Sequence, residues 1–255
     1  MAPTTLVTGA SAGIGRALAT EFARHGHDLV LVARREERLR SLADELETDY
    51  GVDATAIPID LTDDDAPDRL FDSLDGRGIS LDTLVNNVGV GVYGRFGEGD
   101  LADQRTQLRL NVDVLVELTH RFLDGRSRGQ VLNVGSVAGF TPGPLLAGYY
   151  ASKAYVNSFS EALASEYRDT AIDVTVVCPG PVDTEFQERA GMGDSTVAQV
   201  FSHTPDEVAR AAYDGLQAGE AVVIPGLPMK LLTLFLRICP RRLRRWGARI
   251  VNGGR

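Results

Sequence analysis

The chain has 255 residues, 44% of them apolar and 24% charged, with 35 acidic against 26 basic side chains and a net charge of -9. That length fits one large α/β domain with a core of its own, and a mean hydropathy of -0.07 suits a soluble globular protein. An acidic body argues against nucleic-acid binding, and two cysteines, Cys178 and Cys239, supply neither a disulfide framework nor metal-ligand spacing.

The start, Met1-Ala2-Pro3-Thr4-Thr5-Leu6-Val7, lacks a basic n-region and passes straight into a strand pattern. No signal peptide and a cytoplasmic location are therefore expected. Strands are expected at Thr4–Thr8, Asp28–Ala33, Asp53–Ile59, Thr83–Asn86, Val131–Gly135, Asp173–Cys178 and Ala221–Ile224. Helical patterns lie between them at Ile14–His25, Arg35–Tyr50, Asp65–Leu74, Leu101–Leu123, Ala147–Arg168 and Pro205–Ala218. Strict alternation implies an α/β fold, a single doubly wound parallel sheet with helices on both faces. Residues 1–225 would form this domain, and 226–255 a basic, partly apolar extension packed on or near it. In such sheets ligands bind at the carboxyl ends of the strands, where the strand order switches.

The first strand runs into Thr8-Gly9-Ala10-Ser11-Ala12-Gly13-Ile14-Gly15, and a helix follows. Glycines there let the backbone turn tightly and approach a pyrophosphate, which the free N–H groups of a helix terminus attract. A Rossmann-type dinucleotide site is the expectation. The second strand ends Leu31-Val32-Ala33-Arg34-Arg35-Glu36. Ala33 stands where an acid would hold the ribose of NAD, and the guanidinium of Arg34 suits a 2′-phosphate. NADP(H) is therefore preferred over NAD(H). The competing reading is that Arg34 and Arg35 begin a solvated helix, Arg35 in particular.

Further along, the apolar run Val131-Leu132-Asn133-Val134-Gly135-Ser136 delivers Ser136 at a strand end. Tyr149 follows thirteen residues later and Lys153 four after that, one helical turn, so phenol and ammonium share a face. Serine, phenol and a lysine able to lower the phenol's pKa make an acid–base set for carbonyl or alcohol chemistry. The adjacent Tyr150 points about 100° away around the helix and would pack or line the substrate side. His25, His27, His120 and His203 show no ligand spacing and are read as solvated or capping. No metal is required.

These motifs resemble the short-chain dehydrogenases/reductases, over Thr4 to about Ile224. The resemblance gives Gly9, Ser11, Gly13, Ile14 and Gly15 to the cofactor's phosphates, and Asp60 and Leu61 to its adenine. Asn86-Asn87-Val88-Gly89 matches the family's Asn-Asn-Ala-Gly element, with Val88 for alanine, and brings Asn87 to the cofactor. Asn111 completes a tetrad with Ser136, Tyr149 and Lys153, and Pro179-Gly180-Pro181-Val182-Asp183-Thr184 places Val182 and Thr184 at the nicotinamide amide. By resemblance, Tyr149 is the proton donor or base, Lys153 also holds the nicotinamide ribose, and Asn111 positions a proton-relaying water. Members mostly pair through their long central helices, so a homodimer or homotetramer is expected. An NADP-binding regulator without turnover, or a lyase or epimerase, would use the same fold. The intact tetrad and the chain length argue against both.

Substrate selection falls to the loops Gly91–Gly99, Phe140–Leu146 and Glu185–His203. Their Val92, Tyr93, Phe96, Phe140, Leu145, Leu146, Phe186, Met192 and Phe201 suggest an apolar pocket for a small-molecule carbonyl, with a lipid-like one consistent with it. Charge is split along the chain: residues 1–220 carry 18 basic against 35 acidic side chains, a net of -17, while the rest carries +8. The apolar stretch within 226–240 is too short to span a bilayer. With the arginines after it, residues 229–255 fit a helix on an anionic membrane surface, a cover for the pocket, or a contact with a partner subunit.

Overall fold

The computed structural model describes residues 2–185 and 202–252. Among these, the strands are β1 (Thr4–Thr8), β2 (Asp28–Ala33), β3 (Ala54–Pro58), β4 (Thr83–Asn86), β5 (Arg128–Val134), β6 (Ala171–Val177) and β7 (Val222–Val223). They form one sheet in the order β3-β2-β1-β4-β5-β6-β7, with every neighbouring pair parallel.

Successive strand residues point to opposite faces, and here both faces are covered. Leu29 and Leu31 enter one core and Val30 and Val32 the other, which is why the strand reads as an unbroken apolar run. One face receives α1 (Gly13–Arg24), α2 (Glu36–Tyr50) and, from further along, α7 (Pro205–Gln217), through Phe22, Leu42 and Leu216. The other receives α3 (Ala66–Gly76), α5 (Val114–Leu123) and α6 (Ala147–Glu166), through Leu70, Phe122 and Leu163, while α4 (Leu101–Leu108) packs on α6. Phe22 and Phe122, one in each core, are fully buried; burying such a side chain stabilises by about 1.5–3 kcal/mol.

The chain winds outward from β1 through β2 to β3, then returns to place β4 on the other side of β1. This switch opens a crevice at the strand ends. Asn87, just past β4, spans it by donating from Nδ2 to the Thr8 carbonyl at 2.9 Å.

Three expectations change. The helix expected over Leu101–Leu123 is α4 and α5 joined by a π turn at Arg109–Asp113. The tail forms two helices, α8 (Leu227–Ile238) and α9 (Arg241–Val251), broken at Cys239-Pro240 because proline cannot donate to the ladder. His27 is not solvated: it is 7% exposed, bonded through Nδ1 to Thr5 Oγ1 at 2.8 Å, and edge-on to Phe22. Burial lowers its pKa, so it remains a neutral core residue. Among the described residues no helix is long and apolar enough to cross a membrane. No cluster of three or more His, Cys, Asp or Glu there suits a metal.

Candidate active site

The glycine-rich turn is held by sterics as much as by bonds. Gly9 and Gly13 adopt φ of 67° and 54°, a region most side chains avoid. A Cβ at Gly15 would lie 2.3 Å from the Gly9 carbonyl oxygen, so the turn and the start of α1 can touch only without one. Thr8 and Asn87 lock it from below: Thr8 Oγ1 accepts from the Asn87 and Val88 amides at 2.9 and 3.1 Å. The amino terminus of α1, preceded by Ala12, has no side-chain cap. Its first-turn N–H groups border the cavity beside Gly13, Ile14 and Gly15, and uncapped groups of this kind suit a pyrophosphate. Thr184 closes over the turn, its methyl 3.1 Å from where a Gly13 Cβ would stand.

Asn111 lies in the π turn, which swings its amide out of the helical register toward the β4 strand end. Its Oδ1 accepts from the Val90 amide at 2.8 Å, and its Nδ2 donates to Val90 O at 3.0 Å and Ser152 Oγ at 2.9 Å. Ser152 Oγ in turn donates to the Tyr149 carbonyl at 2.7 Å, which links Asn111 to the first turn of α6. Lys153 is buried; its Nζ donates to Val134 O at 2.7 Å and stands 6.0 Å from the centre of the Tyr149 ring. Ser136 caps the short 3-10 helix Val137–Phe140, its Oγ accepting from the Ala138 amide at 3.1 Å while hydrogen bonding to the Tyr149 phenol. The residues expected together are together.

Their electrostatics depart from expectation. Burial pushes the Tyr149 phenol up to about 12, the Ser136 hydroxyl drawing it back in part. Burial also brings Lys153 down to about 8. The ammonium was expected to lower the phenol's pKa, but here desolvation of the phenolate dominates and the opposing pull comes from Ser136.

The end of β2 also reads differently. Arg34 is 62% exposed at its side chain and pairs with Asp60 at 3.6 Å. Asp60 resists its own partial burial by accepting from the Thr62 amide and hydroxyl, and with Arg34 these hold its pKa below the usual value. Arg35 does stand at the start of α2, as its N-cap residue, but its side chain is not left to solvent. Its guanidinium folds back on Ser11 Oγ at 3.0 Å and pairs with Glu185 at 3.0 Å, and Arg38 reaches the same carboxylate at 2.7 Å. The contact of Ser11 with the Arg35 guanidinium could not be read from a linear motif, because only the β1–α1 turn brings position 11 beside position 35.

Sequence reasoning missed Asn157, one turn after Lys153 on α6. It is 3% exposed, donates from Nδ2 to Ser136 O at 3.0 Å and accepts at Oδ1 from the Cys178 thiol at 3.4 Å. The i+4 spacing from Lys153 was the available signal. One cavity of about 1060 Å³ joins these parts, running from Gly9 and Arg34 past Ser136, Tyr149 and Lys153 to Leu232, Leu243 and Trp246 on α8 and α9. Asp60, Leu61, Asn87, Val182 and Thr184 also line it. The tail thus walls the cavity, with Arg244 Nη1 donating to Phe140 O at 3.4 Å. Phe186, Met192 and Phe201, expected in the third loop, lie outside the described residues.

A helix terminus open to a pyrophosphate, with a buried phenol further along the same crevice, defines a nucleotide-dependent oxidoreductase. The profile described as short chain dehydrogenase matches residues 3–194, and the chain belongs to that family. It is 31% identical over 243 residues to 17-beta-hydroxysteroid dehydrogenase type 3 of Rattus norvegicus, covering 93% of this chain and 76% of that one. A short-chain dehydrogenase from Sphingobium yanoikuyae in complex with NADPH superposes with a TM-score of 0.81 at 36% identity, over 91% of this chain and 92% of that one. A 7beta-hydroxysteroid dehydrogenase structure gives a TM-score of 0.87 at 25% identity over 96% of each chain. The protein is thus an NAD(P)-dependent oxidoreductase acting on CH–OH groups.

Proposed function

We propose that the protein is an NADPH-dependent reductase of an apolar, steroid- or lipid-like carbonyl, and catalyses the reverse oxidation with NADP. The observation that carries this reading is the placement of Tyr149 midway along a cavity whose far wall is Leu232, Leu243 and Trp246. When bound, the cofactor supplies the hydride. The Tyr149 O–H gives its proton to the carbonyl oxygen, so carbon gains the hydride, oxygen gains the proton, and the alcohol forms. The phenolate left behind regains a proton from solvent. Ser136 aims its hydroxyl at the oxygen where charge develops. Lys153 holds a positive charge beside the phenol, and Asn111 braces the turn that carries Tyr149.

Gly9, Gly13, Ile14 and Gly15 would hold the pyrophosphate, Asp60 and Leu61 the adenine, Asn87 its ribose, and Val182 and Thr184 the nicotinamide amide. Arg34, joined by Arg35 at Ser11, would take the 2′-phosphate; guanidinium pairs well with phosphate. The relatives support the apolar substrate, since two of them are named for hydroxysteroids. Leu101, Leu108 and Tyr155, exposed on α4 and α6, suit pairing of two copies through these helices. Residues 226–252 wall the pocket and leave an apolar, arginine-flanked outer face, which suits peripheral contact with an anionic membrane.

NADPH consumption across ketones of rising chain length, ending in a steroid ketone, tests the reading. The specificity constant is expected to climb with apolar length. A flat or falling series would overturn the apolar substrate, and equal efficiency with NADH would overturn the cofactor preference.

A further inference from the structure

Asn252, just past α9, is 7% exposed although Arg242, Arg245 and Arg249 before it face solvent. Three bonds account for its burial. Its carbonyl accepts from the Tyr93 hydroxyl at 2.8 Å, its Oδ1 accepts from the Tyr150 hydroxyl at 3.1 Å, and its Nδ2 donates to Pro144 O at 2.9 Å. The partners come from three elements around the cavity: the loop after β4, the loop before α6, and the first turn of α6. Tyr150 adjoins Tyr149 in that turn, the two rings edge-on with centres 6.2 Å apart.

The middle contact grips a strained segment. Leu145 has φ of 69°, a left-handed conformation that a side chain of this size rarely adopts. Such a residue persists only when its surroundings over-determine it. Here Leu145 O accepts from the Gly94 amide at 2.8 Å, the Leu146 amide donates to Gly143 O at 3.2 Å, and Asn252 holds Pro144. The ring of Tyr150 lies flat on Gly143, where a Cβ would fall 2.2 Å from it. Leu146 is buried, lines the cavity and starts α6. The shape of the substrate end therefore depends on a segment that Asn252 pins.

We propose that Asn252 is a positioning residue, a clasp that docks the α8–α9 pair as a lid and so forms the substrate end of the cavity. This rests on the apolar-carbonyl reading above. A small ketone near Tyr149 does not reach the lid. A bulky one packs against Leu232 and Trp246 and is held productively only with the clasp made.

Asn252→Ala and Tyr150→Phe in the full chain, singly and together, test it with a small and a bulky apolar ketone. For Asn252→Ala the KM for the bulky ketone is expected to rise about tenfold, the scale of one to two lost hydrogen bonds. The KM values for NADPH and the small ketone should stay within about twofold. Tyr150→Phe should raise the bulky-ketone KM less, and the double variant should match Asn252→Ala alone, since both remove one shared bond. Trp246, the sole tryptophan, reports the lid directly, and its fluorescence anisotropy should fall in Asn252→Ala. Equal KM rises for both ketones, or unchanged Trp246 anisotropy, would overturn the clasp. A wild type indifferent to ketone bulk would instead overturn the substrate reading, and the anisotropy would still decide the clasp.

Discussion

Tyr149 and Tyr150 are adjacent phenols with opposite surroundings. Tyr149 meets Ser136 and Lys153, whereas Tyr150 turns its hydroxyl to Asn252. Tyr149→Phe should cut turnover by about 10²–10⁴, the usual worth of a positioned acid, with NADPH affinity nearly intact by fluorescence titration. Tyr150→Phe should keep measurable turnover; if it were the dead variant, the proton donor is misassigned. Because burial holds the phenol near 12, reduction, which needs the protonated form, should stay level through neutral pH, while oxidation, which needs phenolate, should rise with pH. An oxidation profile that falls with pH would contradict the role. Lys153 adds a stability signature. Its folded value of about 8 lies below the ordinary 10.5. Between those values the unfolded chain binds more protons, so stability increases as pH rises through that window. Relative to Lys153→Met, the wild type should gain up to about 3 kcal/mol from pH 7 to above 10, read from urea midpoints. No relative gain would mean that the ammonium is not desolvated.

At the scale of elements, what the sequence discloses depends on how local the cause is. The seven parallel strands, their helices and the spacing of Ser136, Tyr149 and Lys153 follow from apolar runs and helical periodicity, both local properties. The π turn at Arg109–Asp113 leaves no such trace, because its apolar periodicity differs from an ordinary helix by a single residue. The end of β2 is the sharper case. Arg34 and Arg35 are neighbours in sequence, yet one reaches Asp60 and the other reaches Ser11 across the β1–α1 turn. Two cations with separate partners should contribute separately to a bound 2′-phosphate. Arg34→Ala and Arg35→Ala should each raise the KM for NADPH about tenfold, on the scale of a charge-assisted hydrogen bond, while leaving the KM for NADH within about twofold. Steady-state kinetics with both cofactors measures this. A variant that weakens both alike places its arginine elsewhere than the phosphate.

For the whole molecule the deciding property is polarity. Residues 1–220 carry a net charge of -17 and the remainder +8, and this positive end is also where the apolar surface gathers. On α8, Leu227, Leu231, Leu234 and Ile238 recur every three or four residues, each at least 58% exposed, and so form one outward stripe. Phe235, Leu243 and Trp246 are both exposed and part of the cavity wall, so the cavity's rim lies on the same side. A second copy docked here would seal that rim; a bilayer would instead present it with apolar solutes. Arg242, Arg245 and Arg249 are exposed on α9, and each contributes about 1 kcal/mol near an anionic leaflet. Three of them amount to roughly a 100-fold preference for anionic over neutral vesicles. Flotation with phosphatidylserine-containing liposomes should carry the full chain upward at low salt and progressively less as salt shortens the Debye length. Replacing Leu231, Leu234 and Ile238 by serine should lower that partitioning while the small-ketone KM changes little, because the stripe points away from the cavity. Partitioning that ignores both the serines and the salt would leave the stripe to another chain, and sedimentation of the same variant would then show a lighter assembly than the wild type.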